Sequence, residues 1–135
     1  MGILKISQSL ENIINKLIDD RVKNKIIYDS GSNYIRYNDG TMICFGVKTI
    51  TTNVTSSWGN LYASSKIGGD NYPITFTEIK SVNITIDKGP TAWIGTGETG
   101  SSLSLTKCPD YYLLSGATQP NSTFVISYTA IGRWK

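Results

Sequence analysis

Residues 34–46, YIRYNDGTMICFG, decide how this chain folds. Asp39-Gly40 is a hairpin dipeptide that can supply the two positive-φ positions of a tight primed turn, and β-formers flank it on both sides. With the turn at those two residues, Asn38 faces Thr41, Tyr37 faces Met42, Arg36 faces Ile43, Ile35 faces Cys44 and Tyr34 faces Phe45. One face then carries Ile35, Tyr37, Met42 and Cys44, and the other Tyr34, Arg36, Ile43 and Phe45. Upstream the pattern is helical; downstream it is strand and turn. The hairpin joins two architectures.

Upstream, apolar residues alternate at spacings of three and four: Ile3, Ile6, Leu10, Ile13 and Leu17, then Asp20, Asn24 and Ile27. These are a and d positions of a heptad with two polar exceptions, widened by Ile14, Ile18 and Val22. Mixed Ile and Leu at both positions favours a trimeric coiled coil over a dimer, with Ile3, Ile6, Leu10, Ile13 and Leu17 as its trimerisation residues. Packing of the helix on its own β-domain is the alternative. Lys23-Asn24-Lys25 ends the helix, and residues 29–33, DSGSN, read as a turn-forming linker. The expected division is a stalk helix over residues 1–28 and a head over 29–135.

Downstream, Val47 to Thr52 extends the second hairpin strand, and Thr55 to Asn71 reads as a long polar loop carrying Trp58, Tyr62 and Lys66. Tyr72–Thr77, Ser81–Asp87, Ala92–Ile94, Leu103–Thr106, Tyr111–Leu114 and Phe124–Trp134 are predicted strands, with Gly95–Ser102 a flexible loop. In Ser81–Asp87, Val82, Ile84 and Ile86 point one way and Asn83, Thr85 and Asp87 the other. The last strand is apolar on both faces for part of its run, as in a sheet centre or a subunit interface. Short strands and turns over about 100 residues predict a mainly β fold, an antiparallel β-sandwich following the N-terminal α-helix.

The composition excludes much. The 135 residues are 39% hydrophobic and 17% charged, with a net charge of +3 and no basic run longer than a pair. A nucleic-acid partner is not expected. No apolar stretch approaches the ~20 residues of a membrane span, so neither membrane insertion nor a secretory leader is expected. Cys44 and Cys108 read as buried thiols, and the sequons at Asn53, Asn83 and Asn121 as chance. The chain contains no histidine, which removes Ser-His-Asp and Cys-His catalysis and most zinc sites. The Gly-rich residues 95–102, GTGETGSS, lack the lysine and the strand-to-helix setting of a phosphate loop. Scattered loop acids offer no evident pair for glycoside hydrolysis. No enzyme activity, cofactor or metal is expected.

What remains is aromatic side chains among polar loop residues. Such a platform beside hydrogen-bonding groups suits a sugar ring, apolar on its C–H face and hydroxylated at its rim. The candidate ligand-binding residues are Trp58, Tyr62, Trp93 and Tyr111 with the loop acids Asp70 and Glu98. Tyr72 and Trp93 also suit a core, whereas Trp58, between Ser57 and Gly59, suits exposure.

The hairpin YIRYNDGTMICFG resembles the strand-DGT-strand signature opening the C-terminal head domain of bacteriophage tail fibres, found also in prophages and phage-tail-like bacteriocins. Residues 72–86, YPITFTEIKSVNITI, are similar to that family's aromatic-Pro-x-x-Phe segment and following strand. The ending SYTAIGRWK is similar to its Ala-Ile-Gly-Arg-Trp-Lys terminus. The three matches come in order and span residues 34–135. The resemblance implies a homotrimeric fibre tip on the virion tail, made in a bacterial cytoplasm, with a head like the sandwich of trimeric H-type lectins. It implies adsorption to a bacterial surface glycan, and the rest of the tail fibre as a partner. Asp39, Gly40, Arg133 and Trp134 are expected to be structural, and no binding residue carries over. The chain is short for a full fibre and shows no virion-attachment domain, so a piece of a longer fibre or a separate tip protein is expected. Two further readings stand beside receptor binding: a trimerising cap that never touches a receptor, and a surface-polysaccharide depolymerase.

Overall fold

A computed structural model describes residues 2–23, 26–96 and 103–135. The described residues form one helix, α1 (Gly2–Lys23), and eight strands: β1 (Ile27–Ser30), β2 (Tyr34–Tyr37), β3 (Thr41–Trp58), β4 (Leu61–Ser64), β5 (Glu78–Lys88), β6 (Trp93–Gly95), β7 (Tyr112–Ser115) and β8 (Gln119–Arg133). The fold is mainly β and every strand pairing is antiparallel. All eight strands join one hydrogen-bonded sheet. β3 and β8 form its spine, paired from Thr41↔Arg133 to Val54↔Gln119. β5 lines the free side of β8, β1–β2 pairs with the start of β3, and β4, β7 and β6 follow from its end. The sheet curls enough to bring β6 back against β5.

The spine is long because β3 alternates in phase from Thr41 to Val54 and β8 from Ser122 to Arg133. The register shifts near the far end, between Thr52 and Val54, where Asn121 takes φ 45°. Met42, Cys44, Phe124, Ile126, Tyr128 and Ala130 are buried on the concave face. Large residues there meet small ones: Tyr128 lies opposite Gly46, where a Cβ would stand 2.6 Å from its ring. Tyr72, Phe76 and Cys108 close one core over this face, and Tyr111 and Leu113 help to close a second over Val54 and Phe124. Both cysteines are free and buried, as expected, and burial pushes both thiols up to about 11.

The hairpin exists, but its register differs by one residue. Tyr34 faces Cys44, Ile35 faces Ile43 and Arg36 faces Met42, so the loop is Asn38-Asp39-Gly40. Only Gly40 is left-handed, at φ 92°, and its amide donates to the Tyr37 carbonyl. That is a type I turn followed by a left-handed glycine, not the primed two-residue turn. The slip moves Tyr34 and Arg36 to the Met42–Cys44 face. Arg36 is held there by both carboxylate oxygens of Asp29, 2.6 and 2.5 Å away, and lies against the rings of Tyr28, Tyr34 and Trp134.

The C-terminal residues explain why the DGT turn and the GRW ending occur together. Arg133 Nη2 donates to the Asp39 carbonyl at 2.9 Å, Trp134 N to the Gly40 carbonyl at 3.0 Å, and Trp134 Nε1 to the Tyr37 carbonyl at 2.9 Å. Asp39 Oδ1 accepts from the Thr41 amide. All four motif residues are structural.

Other boundaries move. Asp29 and Ser30 belong to β1 rather than to a linker, and Ile27 starts that strand instead of ending the heptads. Asn24 lies outside the described residues. The expected loop from Thr55 is the continuation of β3, which turns at Gly59-Asn60 into β4. Gly59, at φ 61°, occupies the first central position, as a II′ turn requires. Tyr72–Thr77 is irregular rather than a strand: the amides of Tyr72 and Phe76, four apart, donate to the adjacent carbonyls of Thr106 and Leu105, which no regular ladder allows. Leu103–Thr106 is likewise irregular. β8 buries one face fully and the other partly. In α1 every stripe residue from Ile3 to Val22 is exposed, Leu10 by 57%. The stripe is uncovered by the chain's own sheet, and the helix is not long and apolar enough to cross a membrane.

Gly40→Ala is expected to destabilise the protein more than Gly59→Ala. Both force an L residue into the left-handed region, costing about 1–2 kcal/mol. At Gly40 a Cβ would also stand 2.5 Å from the Arg133 guanidinium, whereas at Gly59 it meets nothing within 4 Å. Denaturant midpoints of the two variants measure the difference.

Candidate functional site

The end of β3, with β4, β7 and β6, forms a patch whose outer face is set by one irregularity. Val54 pairs with Ser64 and is buried, but Ser56 pairs with Ala63, so the strand gains a bulge at Thr55. A bulge resets the side-chain phase. Without it Ser56 and Trp58 would point inward with Val54; with it Trp58 turns outward and is 59% exposed. The registers Trp58↔Leu61, Ala63↔Leu114, Trp93↔Leu114 and Gly95↔Tyr112 place Trp58, Trp93, Leu114 and Tyr112 on this same outer face. Trp93 is 53% exposed. A cleft of about 440 Å³ opens here, lined by Trp58, Ala63, Gly95, Thr96 and Tyr112 with Ser57 and Ser64. The Ser64 hydroxyl is committed to the Ser65 carbonyl and the Leu113 amide. Thr96 and Tyr112 bring hydroxyl groups to the lining beside the Trp58 ring.

Of the residues selected from sequence, Trp58 lines this cleft and Trp93 shares its face. Tyr62 points the other way, into the second core, and Tyr111 is buried to 2% exposure. Glu98 lies outside the described residues. Tyr112 was not selected, yet strand period would have found it. Once Tyr111 and Leu113 are assigned to the core, Tyr112 and Leu114 must face out.

Asp70 stands elsewhere, in a charged latch beneath the irregular segments. Lys48, pointing inward from β3, puts Nζ 2.8 Å from Asp70 Oδ1 and 3.0 Å from the Gly68 carbonyl, with the Tyr111 ring 5.6 Å away. Asp110 accepts from the Gly69 amide at 2.9 Å and pairs with Lys107 at 2.9 Å and Lys66 at 3.4 Å. Together with the bridges Ile67↔Tyr111 and Asn71↔Lys107 these contacts tie residues 67–71 to 107–111. The latch occupies both carboxylates. Among the described residues no group of three metal-ligating side chains converges.

The hydrogen bond from Lys107, then that from the Gly69 amide, holds the Asp110 carboxyl far below its ordinary range. A depressed folded pKa means that this stabilisation is complete above the unfolded carboxylate pKa of about 3.9 and is lost as pH falls toward the folded value. The wild-type melting temperature should therefore fall below about pH 4, and that of Asp110→Asn should start lower and fall less. Melting curves from pH 6 to pH 2 test this.

No protein-family model and no curated protein matches the chain. Among solved structures it is similar to an N-truncated R1-type pyocin tail fibre, with a TM-score of 0.54 at 15% identity over 85% of this chain and 93% of that one. It is also similar to a C-terminal fragment of the P. aeruginosa R1 pyocin fibre, with a TM-score of 0.48 at 16% identity over 77% of this chain and 27% of that one. The chain shares the fold of a pyocin tail-fibre fragment.

Proposed function

We propose that the chain is the receptor-binding tip of a tail fibre of a phage or phage-tail-like particle, three copies joined through α1, and that it adsorbs to saccharide on a bacterial surface. One observation carries this reading: attachment and candidate binding face lie at opposite ends of β3. The helix leads into β1, which pairs with β2, and β2 in turn pairs with the first residues of β3 beside the Asp39-Gly40 turn. The Trp58 cleft lies at the other end of the same 18-residue strand. At about 3.3 Å per residue, β3 separates stalk and cleft by tens of ångströms. A fibre tip needs that polarity.

The chemistry of the cleft fits a sugar. Indole and phenol rings offer apolar faces to pyranose C–H groups, and neighbouring hydroxyls answer the ring's own. Three linked sites on a repetitive surface would gain about 10²–10⁴ in avidity over one. The uncovered stripe of α1 supports the trimer, since an isolated helix of this length is marginal in water without a partner for its apolar face. The reading is of binding rather than catalysis, because Asp70 and Asp110 are tied to lysines away from the cleft.

Trp58→Ala and Tyr112→Ala should each weaken adsorption to a susceptible host, Trp58→Ala by about 30-fold per site, the worth of a hot-spot aromatic. Both side chains leave the core untouched, so folding should be preserved. Adsorption counts with labelled protein, alongside far-UV spectra, are the measurement. Undiminished adsorption by both variants would favour the cap that never touches a receptor, and release of reducing ends from host polysaccharide would favour a depolymerase.

A further inference from the structure

The outer face of the β3–β8 spine is a second surface without a partner in its own chain. Opposed across it are Ile43 and Ile131, Phe45 and Thr129, Val47 and Ser127, Thr49 and Val125, and Thr51 and Thr123. Val47 is 68% exposed and Ile131 38%. No charged side chain stands in these five rows. Lys48 turns inward to Asp70, and Arg133, Asp87 and Lys88 lie at the margins. Several hydroxyls are already satisfied within the face. Thr51 and Thr123 share a hydrogen bond of 2.8 Å, Thr85 and Ser127 one of 3.0 Å, and Ser127 donates to Asp87 at 3.0 Å. Such a face can be dried without stranding these donors, provided that the Asp87 carboxylate bonded to Ser127 keeps its solvent at the edge.

The chain itself identifies the occupant. Only Asn24 and Lys25 separate Lys23 from Ile26, a reach of about 10 Å at 3.3–3.6 Å per residue. Helices in a shared seam lie about 8–10 Å apart. A head of this size has a radius of gyration of about 13 Å, so three heads tethered this closely are held within reach of one another. The uncharged spine face is the one that can be buried at least electrostatic cost. We propose that a second copy of this chain covers it: the heads meet one another through the outer face of β3 and β8, leaving the Trp58 cleft free at the far end. This rests on the trimeric reading of α1.

Thiol labelling of Val47→Cys tests it, because Cys44 and Cys108 are buried. The variant is compared in the intact chain and in a chain whose seam is broken by Leu10→Asp and Ile13→Asp. Asn60→Cys, in the exposed turn before β4, serves as control. Val47→Cys should react at least about tenfold more slowly in the intact chain, as in a water-excluding interface core, while Asn60→Cys reacts equally in both. Thr49→Cys, one row along, repeats the measurement should Val47→Cys disturb assembly. Equal Val47→Cys rates in samples that sediment as trimers would overturn this interface and leave the trimer standing. Samples that sediment as monomers would overturn both.

Discussion

Everything in this molecule hangs on one antiparallel pairing, that of β3 with β8. It brings residues 41–54 against residues 119–133, so almost the whole head lies within the loop it closes. Closing so long a loop costs entropy that only many contacts made at once can offset. The long in-phase alternation of both strands, from Thr41 to Thr52 against Ser122 to Arg133, provides them. Its concave side seats both cores, and its two ends carry everything else. At one end the DGT turn and the C-terminal Arg133 and Trp134 lock together and anchor the hairpin through which the helix enters. At the other end β3 outruns β8, bulges at Thr55, and turns Trp58 into solvent.

The same pairing leaves surfaces that the chain does not cover: the stripe of α1, the Thr- and Val-rich back of the spine, and the aromatic face beyond the bulge. Their chemistries differ in ways that sort them. The helix stripe is aliphatic and heptad-spaced, suited to its own kind. The spine back carries no charge on β3 or β8 between Ile43 and Thr51, with hydroxyls answering one another, suited to a protein surface. The distal face pairs exposed rings with hydroxyl neighbours, suited to a ligand with a polar rim.

Much of the fold was legible in the sequence, and the failures have physical causes. The hairpin and β5 stood out because alternation and turn chemistry agree there. The register slipped because Asp-Gly serves both a primed two-residue turn and a three-residue loop with a left-handed glycine; contacts from Arg133 and Trp134, some ninety residues away, stabilise the second. The end of β3 read as loop because Asn53-Val54-Thr55-Ser56-Ser57 is polar on both faces and a bulge breaks its period. Tyr72–Thr77 read as a strand because its composition and alternation are right for one, although its amides find the adjacent carbonyls of Leu105 and Thr106 instead of a ladder partner. In the site, the polar setting of Trp58 was visible. The outward turn of Trp58 and the inward turn of Tyr62 depend on the phase set by that bulge, which no local pattern announces.

What covers α1 decides between a trimeric tip and a lone head. Light scattering of the intact chain at micromolar concentration asks this directly. A trimer joined through α1 gives a mass about three times the 14.8 kDa of one chain, independent of moderate dilution. A mass of one chain throughout that range would contradict it: the helix stripe would have no partner, and the heads no reason to meet.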